Sequence, residues 1–132
     1  MSKGFSILEI ILSLAIAASL LVLSVHSFAW MKKKAQRCEI EGAARFLSFL
    51  RAKALSEGED ITVSCEGGVL LARGMQESYR YGSRDCYYHC RGFTLTSTGF
   101  VVPAMSVKAE CPRIKADMKL SMAGRLRIKW ER

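Results

Sequence analysis

The sequence predicts an α+β protein in which one long N-terminal helix packs against a small antiparallel β-sheet. Two observations lead to this fold class. The first quarter of the 132 residues is far more apolar than the rest, and the hydrophobic period changes from helical to alternating after Gly58. At most one compact unit of about 80 to 100 residues remains beyond the apolar part. In so small a unit we expect disulfides or packing against a long helix to add stability.

The segment from Phe5 to Trp30 carries one formal charge, Glu9. As a helix it is about 39 Å long, which is enough to cross the hydrocarbon core of a bilayer. Trp30 suits an interfacial anchor, and Lys32, Lys33 and Lys34 end the apolar run. A secretory signal peptide would have a shorter apolar region and a small-residue cleavage site. The segment is therefore predicted to span the membrane, and a simple signal anchor is the plainer alternative.

Glu9 is unusual in such a helix. A carboxylate facing lipid costs about 2.5 to 3.5 kcal/mol on insertion scales and is normally retained for a partner. The span contains no cation, so the nearest candidate is an α-amino group. If the chain were cut after Gly4, the new amine of Phe5 would lie four residues from Glu9 on the same helical face.

Met1-Ser2-Lys3-Gly4 followed by Phe5-Ser6-Ile7-Leu8-Glu9 resembles the class III leader of type IV pilins and type II secretion pseudopilins. The resemblance implies cleavage between Gly4 and Phe5 by a prepilin peptidase and N-methylation of Phe5. It also implies that Glu9 pairs with the Phe5 amine of a neighbouring subunit during assembly. Residues 1–4 would then be a cleaved leader, and residues 5–31 the transmembrane and filament-core part of the helix.

Two features depart from that family. Where many members have a helix-kinking proline, this chain has His26, so we expect a straighter helix and interpret His26 as a polar residue near the interface. The lysines follow the span, so charge counting alone would place the C-terminal side in the cytoplasm. The family and the cysteines imply the opposite. We therefore expect a single-pass inner-membrane protein with an extracytoplasmic head, assembled into a pilus or pseudopilus.

Residues 32–58 are predicted to continue the helix as an extracytoplasmic amphipathic segment that stops at Gly58. Their apolar positions follow the i, i+3, i+4, i+7 pattern: Ala43, Phe46, Leu47, Leu50 and Ala54.

Residues 59–132 are predicted to form a β-rich head with one sheet. A hairpin is expected from Ile61–Cys65 and Val69–Ala72 around Glu66-Gly67-Gly68. Further strands are expected at Phe93–Ser97 and Met105–Cys111. A C-terminal hairpin is expected because Met118, Leu120 and Met122, and then Leu126, Ile128 and Trp130, alternate with polar residues around Ala123-Gly124.

Ala43-Ala44-Arg45 through Ala52-Lys53-Ala54, the strand pair beyond Gly58 and Ala123-Gly124-Arg125-Leu126-Arg127 resemble the GspH/FimT-like branch of minor pilins and pseudopilins. The resemblance covers nearly the whole chain and implies a pilin-like fold. The middle, from Tyr79 to Arg91, is not distinctive.

The chain has five cysteines, a density that is ordinary in an exported domain. We expect Cys38 to be the odd one. The sequence leaves open how the other four pair: Cys65, Cys86, Cys90 and Cys111.

No enzyme, metal or cofactor is expected. With two histidines, one of them in the span, no Ser-His-Asp or Cys-His arrangement can be assembled. Cys86, His89 and Cys90 offer three metal ligands in principle, but a disulfide is the better interpretation.

The formal net charge of +8 favours anionic partners. On a strand, Arg125, Arg127 and Lys129 would share a face at spacings of about 6.6 Å, and Lys119 on the partner strand would widen this basic row. In DNA-uptake pilins of the FimT type, a Gly-Arg-x-Arg element is associated with DNA binding, and Arg125 and Arg127 match its arginines. The alternative is an edge strand protected by charge against aggregation. Aromatic residues between Tyr79 and Arg91 are interpreted either as base-stacking groups or as a cross-strand cluster.

The leading functional hypothesis is a minor pilin of a type IV pilus. It would act near the tip in filament initiation, and DNA capture for natural transformation is a candidate further role. The first alternative is a minor pseudopilin of a type II secretion system, and the second is a membrane-anchored binding protein that never polymerises. The partners implied are other pilin or pseudopilin subunits, the prepilin peptidase, the inner-membrane assembly platform and, for the leading hypothesis, DNA.

Overall fold

The computed structural model describes residues 6–131. One helix, α1, runs from Ile7 to Glu57 and spans 51 residues. By length and composition it is able to cross a membrane once. The chain divides into two units between Lys34 and Ala35.

In the first unit the large apolar side chains of α1 are exposed, including Leu8, Leu21 and Phe28. An apolar surface of this kind is stable only in lipid or against other apolar helices. Near the end of the unit the Nζ atom of Lys34 lies 4.9 Å from the centre of the Trp30 ring. The segment is therefore compatible with a single membrane span that ends in an aromatic and cationic border.

In the second unit the remainder of α1 buries one face. The residues predicted for that face are buried or half-buried: Ala43, Phe46, Leu47, Leu50 and Ala54. The helix ends where predicted, because Gly58 adopts a φ of 67° and the Glu59 N–H donates to the Ala54 carbonyl at 3.2 Å.

Nine strands follow within the described residues. They are β1 (Ile61–Glu66), β2 (Val69–Arg73), β3 (Ser78–Tyr81), β4 (Tyr87–His89), β5 (Phe93–Leu95), β6 (Val101–Val102), β7 (Met105–Glu110), β8 (Lys115–Leu120) and β9 (Leu126–Glu131). They form a five-stranded sheet in the order β3-β2-β1-β5-β6 and a four-stranded sheet in the order β4-β7-β8-β9. All neighbouring strands are antiparallel.

The α+β layout agrees with the prediction, but the prediction of a single sheet was wrong. Three short strands that the sequence pattern did not reveal, β3, β4 and β6, complete two sheets. The two predicted hairpins are present as β1–β2 and β8–β9. Met122 lies outside β8, because the chain turns between Ser121 and Gly124 and leaves the Met122 side chain 59% exposed.

Disulfides are present, as the cysteine content predicted. Cys65 pairs with Cys90 and Cys86 pairs with Cys111. The first bridge links β1 of the five-stranded sheet to the residue that follows β4 of the other sheet. The second joins the residue before β4 to the residue after β7. Cys38 is free and exposed.

Candidate functional site

Two parts of the chain carry the candidate functional residues, the N-terminus and the β8–β9 hairpin. Gly4 and Phe5, predicted for cleavage, methylation and assembly, lie outside the described residues. Glu9 lies in the first turn of α1, where its N–H donates to the Ser6 carbonyl at 2.9 Å. The side chain of Glu9 is exposed. Its predicted partner belongs to another subunit, so the pairing remains a prediction.

The β8–β9 hairpin positions the predicted basic residues. Lys119 on β8 lies opposite Arg127 on β9, and Asp117 lies opposite Lys129. Side chains alternate across a strand, and those of Arg127 and Lys129 are accordingly exposed. On the other face of β9, Leu126, Ile128 and Trp130 are half-buried against the core.

Lys119, Arg125 and Arg127 line one open depression at the turn end of the hairpin, together with Leu120, Ser121 and Ala123. Arg125 precedes β9, and its N–H donates to Ser121 Oγ at 3.1 Å. Three cations from two sides of one turn therefore surround a surface that is open to solvent. Such an arrangement suits a phosphate or carboxylate group, because neither needs to be desolvated fully to reach the cations.

Lys129 stands apart from this cluster. Asp117 lies between two lysines in the register, opposite Lys129 on β9 and opposite Lys108 on β7. Its Oδ1 atom is buried and has no hydrogen-bond partner among the described residues. The basic row is therefore not uniform. Its cationic character is concentrated at Lys119, Arg125 and Arg127, and an acidic residue borders Lys129.

The turn that carries Arg125 is tied to α1 by Arg51. The guanidinium donates from Nη1 to the Gly124 carbonyl at 3.0 Å and from Nη2 to the Ala123 carbonyl at 3.1 Å. Its Nε donates to the Gly99 carbonyl at 2.9 Å, in the turn between β5 and β6. Arg51 thus fixes two turns at one end of the head.

Sequence reasoning did not single out Arg51. A signal was nevertheless present, because Arg51 follows Leu47 by four residues and precedes Ala54 by three. This spacing places it on the buried face of the helix. An arginine on such a face needs acceptors, and carbonyl groups in turns are the available ones.

Three of the four tyrosines on β3 and β4 pack against other side chains, whereas Tyr87 is exposed. The Tyr81 ring stacks on Phe46 with centroids 5.3 Å apart, and Tyr79 meets Phe49 edge-on at 6.1 Å. Tyr88 is fully buried. The described contacts therefore favour the structural interpretation of this aromatic cluster over base stacking.

Tyr81 also explains a glycine in the helix. Its hydroxyl donates to the Glu39 carbonyl at 2.9 Å and lies where a Cβ atom on Gly42 would be. Burial raises the pKa of the Tyr81 hydroxyl above its ordinary value, and the nearby Glu39 carboxylate adds to the shift. The hydroxyl is therefore a hydrogen-bond donor at neutral pH.

Cys86 and Cys90 cannot bind a metal ion as thiolates, because both are in disulfides. Within residues 6–131, no group of three or more metal-ligating side chains is assembled.

The chain matches no protein-family model, no curated protein and no solved structure. The candidate site is therefore interpreted from its own residues.

Proposed function

We propose that the protein is a minor subunit of a type IV pilus, inserted in the inner membrane before assembly and carrying its head outside the cytoplasm. The observation that carries the proposal is Glu9, an acidic residue in the first turn of α1, in a segment that has no other charged side chain before Lys32. No salt bridge to Glu9 occurs within residues 6–131. A partner supplied by another subunit would remove the cost of this carboxylate in the membrane.

The Gly4-Phe5 junction supports the same proposal. Cleavage there would create an α-amino group at the start of the helix, and this amine is the cation that Glu9 of a neighbouring subunit requires. The exposed apolar surface of the first unit would then pack against equivalent helices in the filament core. The disulfides suit a head that matures in an oxidising compartment.

For this pilin we propose a further role in DNA capture, through the cations that line the depression at the β8–β9 turn. Lys119, Arg125 and Arg127 are exposed and lie around one opening. Contacts of this kind neutralise phosphates without reading bases, so binding would be independent of sequence. With three phosphate contacts, the logarithm of the binding constant should fall with the logarithm of salt concentration at a slope of about −3.

The DNA role is tested with the full chain in detergent and double-stranded DNA at several salt concentrations. The variant Arg125→Ala/Arg127→Ala removes two of the three cations. Arg73→Ala/Arg80→Ala is the matched control, because it removes the same charge from exposed positions on β2 and β3. We expect the first variant to lose most of the affinity and to reduce the salt slope by about 2. Equal losses in the two variants would show that only net charge matters.

The second candidate is a minor pseudopilin of a type II secretion system, and the contact between Arg51 and Gly124 favours it. That contact gives the glycine of the Gly-Arg element a structural reason to be present without any nucleic acid. A pseudopilin would share the membrane helix and the assembly step, and its head would contact other pseudopilins or secreted proteins. Absence of DNA binding by the wild-type chain, together with a secretion defect on its deletion, would favour this candidate.

A further inference from the structure

Strand β9 is the outermost strand of the four-stranded sheet, and within residues 6–131 nothing pairs with its outer side. The Ser121 N–H donates to the Arg125 carbonyl at 3.0 Å. In an antiparallel pair, hydrogen-bonded positions recur at every second residue. Arg125 is such a position, and Arg127 and Lys129 follow it at intervals of two residues. Their backbone N–H and carbonyl groups therefore point towards β8.

The intervening residues of β9 direct their backbone groups away from the sheet. Leu126, Ile128 and Trp130 thus present three N–H groups and three carbonyl groups along the free edge, an arrangement that templates pairing with another strand. Their side chains lie on the core face and are only half-buried. The edge accordingly offers both backbone hydrogen bonds and apolar surface to an added strand.

We propose that the β9 edge binds an extended segment of a different protein by strand addition, and that acidic residues alternate with apolar ones in this segment. The acidic residues would lie beside Arg127 and Lys129 on the outer face. The apolar residues would extend the face formed by Leu126, Ile128 and Trp130. Glu131, at the end of the strand, limits the acidic preference to the first part of β9. This inference goes beyond the proposed function and does not require DNA binding.

Strand β9 itself carries one acidic residue, Glu131, against two basic ones, so a second copy of this strand matches the charge of the edge less well than an acidic strand does. If two β9 strands paired antiparallel about Ile128, Arg127 of each would lie opposite Lys129 of the other, and like charges directly opposite are destabilising. The other free edges lack acidic side chains on their exposed positions: Ser78 and Arg80 on β3, Tyr87 and His89 on β4, and Val102 on β6. Charge complementarity therefore favours an acidic strand from another protein.

The proposal is tested with the full chain in detergent and two synthetic peptides of equal composition. In one peptide glutamate alternates with valine, and in the other the glutamates are grouped at one end. We expect the alternating peptide to bind at least about tenfold more tightly, which corresponds to about 1.4 kcal/mol or one hydrogen bond. It should also slow amide exchange at Leu126, Ile128 and Trp130. Equal affinities, or no slowing at these amides, would overturn the proposal.

Two variants separate backbone pairing from general charge. Ile128→Pro removes an N–H that points away from β8, and proline is tolerated on an edge strand in that orientation. We expect it to weaken peptide binding about tenfold through the lost hydrogen bond, whereas Ile128→Val, which keeps the N–H, should bind normally. Arg127→Glu/Lys129→Glu should reverse the preference to a peptide in which lysine alternates with valine. Unchanged preference after this reversal would contradict the proposed outer-face contacts.

Failure of this proposal is distinguishable from failure of the DNA role. Arg125 precedes β9, so Arg125→Ala should weaken DNA binding and leave peptide binding intact. If duplex DNA binds and neither peptide does, the basic surface is a nucleic-acid site alone and strand addition is wrong.

Discussion

The Arg51 guanidinium donates a hydrogen bond from Nη1 to the Gly124 carbonyl at 3.0 Å and occupies the place that a side chain on Gly124 would take. Gly124 has a φ of 73°, a conformation that side-chain-bearing residues seldom adopt. Glycine is therefore favoured at position 124 for two reasons: the backbone has a positive φ, and the Arg51 guanidinium fills the space of a side chain. Because Arg125 follows directly, this contact also determines where the cations at the β8–β9 turn are held.

We predict that Gly124→Ala lowers the free energy of unfolding by about 1 to 3 kcal/mol, because it strains the backbone and displaces the Arg51 guanidinium. Gly67→Ala is a matched control. Gly67 also has a positive φ, of 59°, but no atom lies within 4 Å of a Cβ placed there. Chemical denaturation should therefore show a smaller loss for Gly67→Ala. Equal losses would mean that the Arg51 contact contributes nothing.

Arg51→Ala tests the same contact from the other side. Removing three hydrogen bonds from a charged donor is predicted to cost about 1.5 to 3 kcal/mol. The double variant Arg51→Ala/Gly124→Ala should lose less free energy of unfolding than the sum of the two single losses, because either change alone already removes the contact. Simple additivity would show that the two residues act independently.

The two disulfides are predicted to differ in their contribution to stability. Both close loops of the same length, with a sequence separation of 25, so their entropic contributions should be similar at about 3.5 kcal/mol each. Cys86 and Cys111 are buried, whereas Cys65 and Cys90 are half-buried. Cys86→Ala/Cys111→Ala should therefore destabilise more than Cys65→Ala/Cys90→Ala in thermal unfolding, because it also leaves a cavity.

Cys38→Ala serves as the control for the cysteine variants. Cys38 is free and exposed, so its replacement should leave the melting temperature close to that of the wild type. A large loss in this variant would show that Cys38 has a contact outside those described.

The network around Glu77 is predicted to make stability depend on pH. Hydrogen bonds from Lys53 Nζ, at 2.6 Å, and from the Tyr79 hydroxyl hold the pKa of the Glu77 carboxyl below its ordinary value. A lowered pKa stabilises the fold above the unfolded-state pKa, and this contribution is lost as the pH falls through the folded-state value. The difference in melting temperature between wild type and Glu77→Gln should accordingly be largest at neutral pH and narrow in acid.

Lys53 of the same network contributes to stability with the opposite pH dependence, because its contribution is lost at high pH. Hydrogen bonds to Glu77 and Tyr79 raise the pKa of Lys53 above its ordinary value, so the contribution of Lys53 to stability is lost only as the pH rises through that raised pKa.

Glu66→Gln is the control for Glu77→Gln, because Glu66 is exposed and has no salt bridge among the described residues. If both glutamine variants show the same pH profile, the network is not the cause.

Periodicity predicted the elements whose burial is regular. Helix α1 follows from its apolar run and from the spacing of Leu47, Leu50 and Ala54. The hairpins around Gly67 and Gly124 follow from turn residues between alternating segments, and both glycines have a positive φ. These elements are determined locally, so the sequence pattern is sufficient to locate them.

The division into two sheets depends on contacts between residues far apart in the chain. Strands β3, β4 and β6 have two to four residues each, too few for an alternating pattern to stand out. The disulfide partners are separated by 25 residues and cannot be chosen from spacing alone. The candidate site could not be predicted fully for the same reason, because the position of Asp117 opposite Lys129 follows only from the register of the strands.

The most direct test of the pilin proposal is the mass of the N-terminal peptide of the chain purified from cells that contain an active prepilin peptidase. The account predicts that the mature chain begins at Phe5 and carries one methyl group on its amine, and that replacement of Gly4 by a large residue blocks both changes. If the chain keeps residues 1–4 while a control prepilin is processed in the same cells, the account is contradicted.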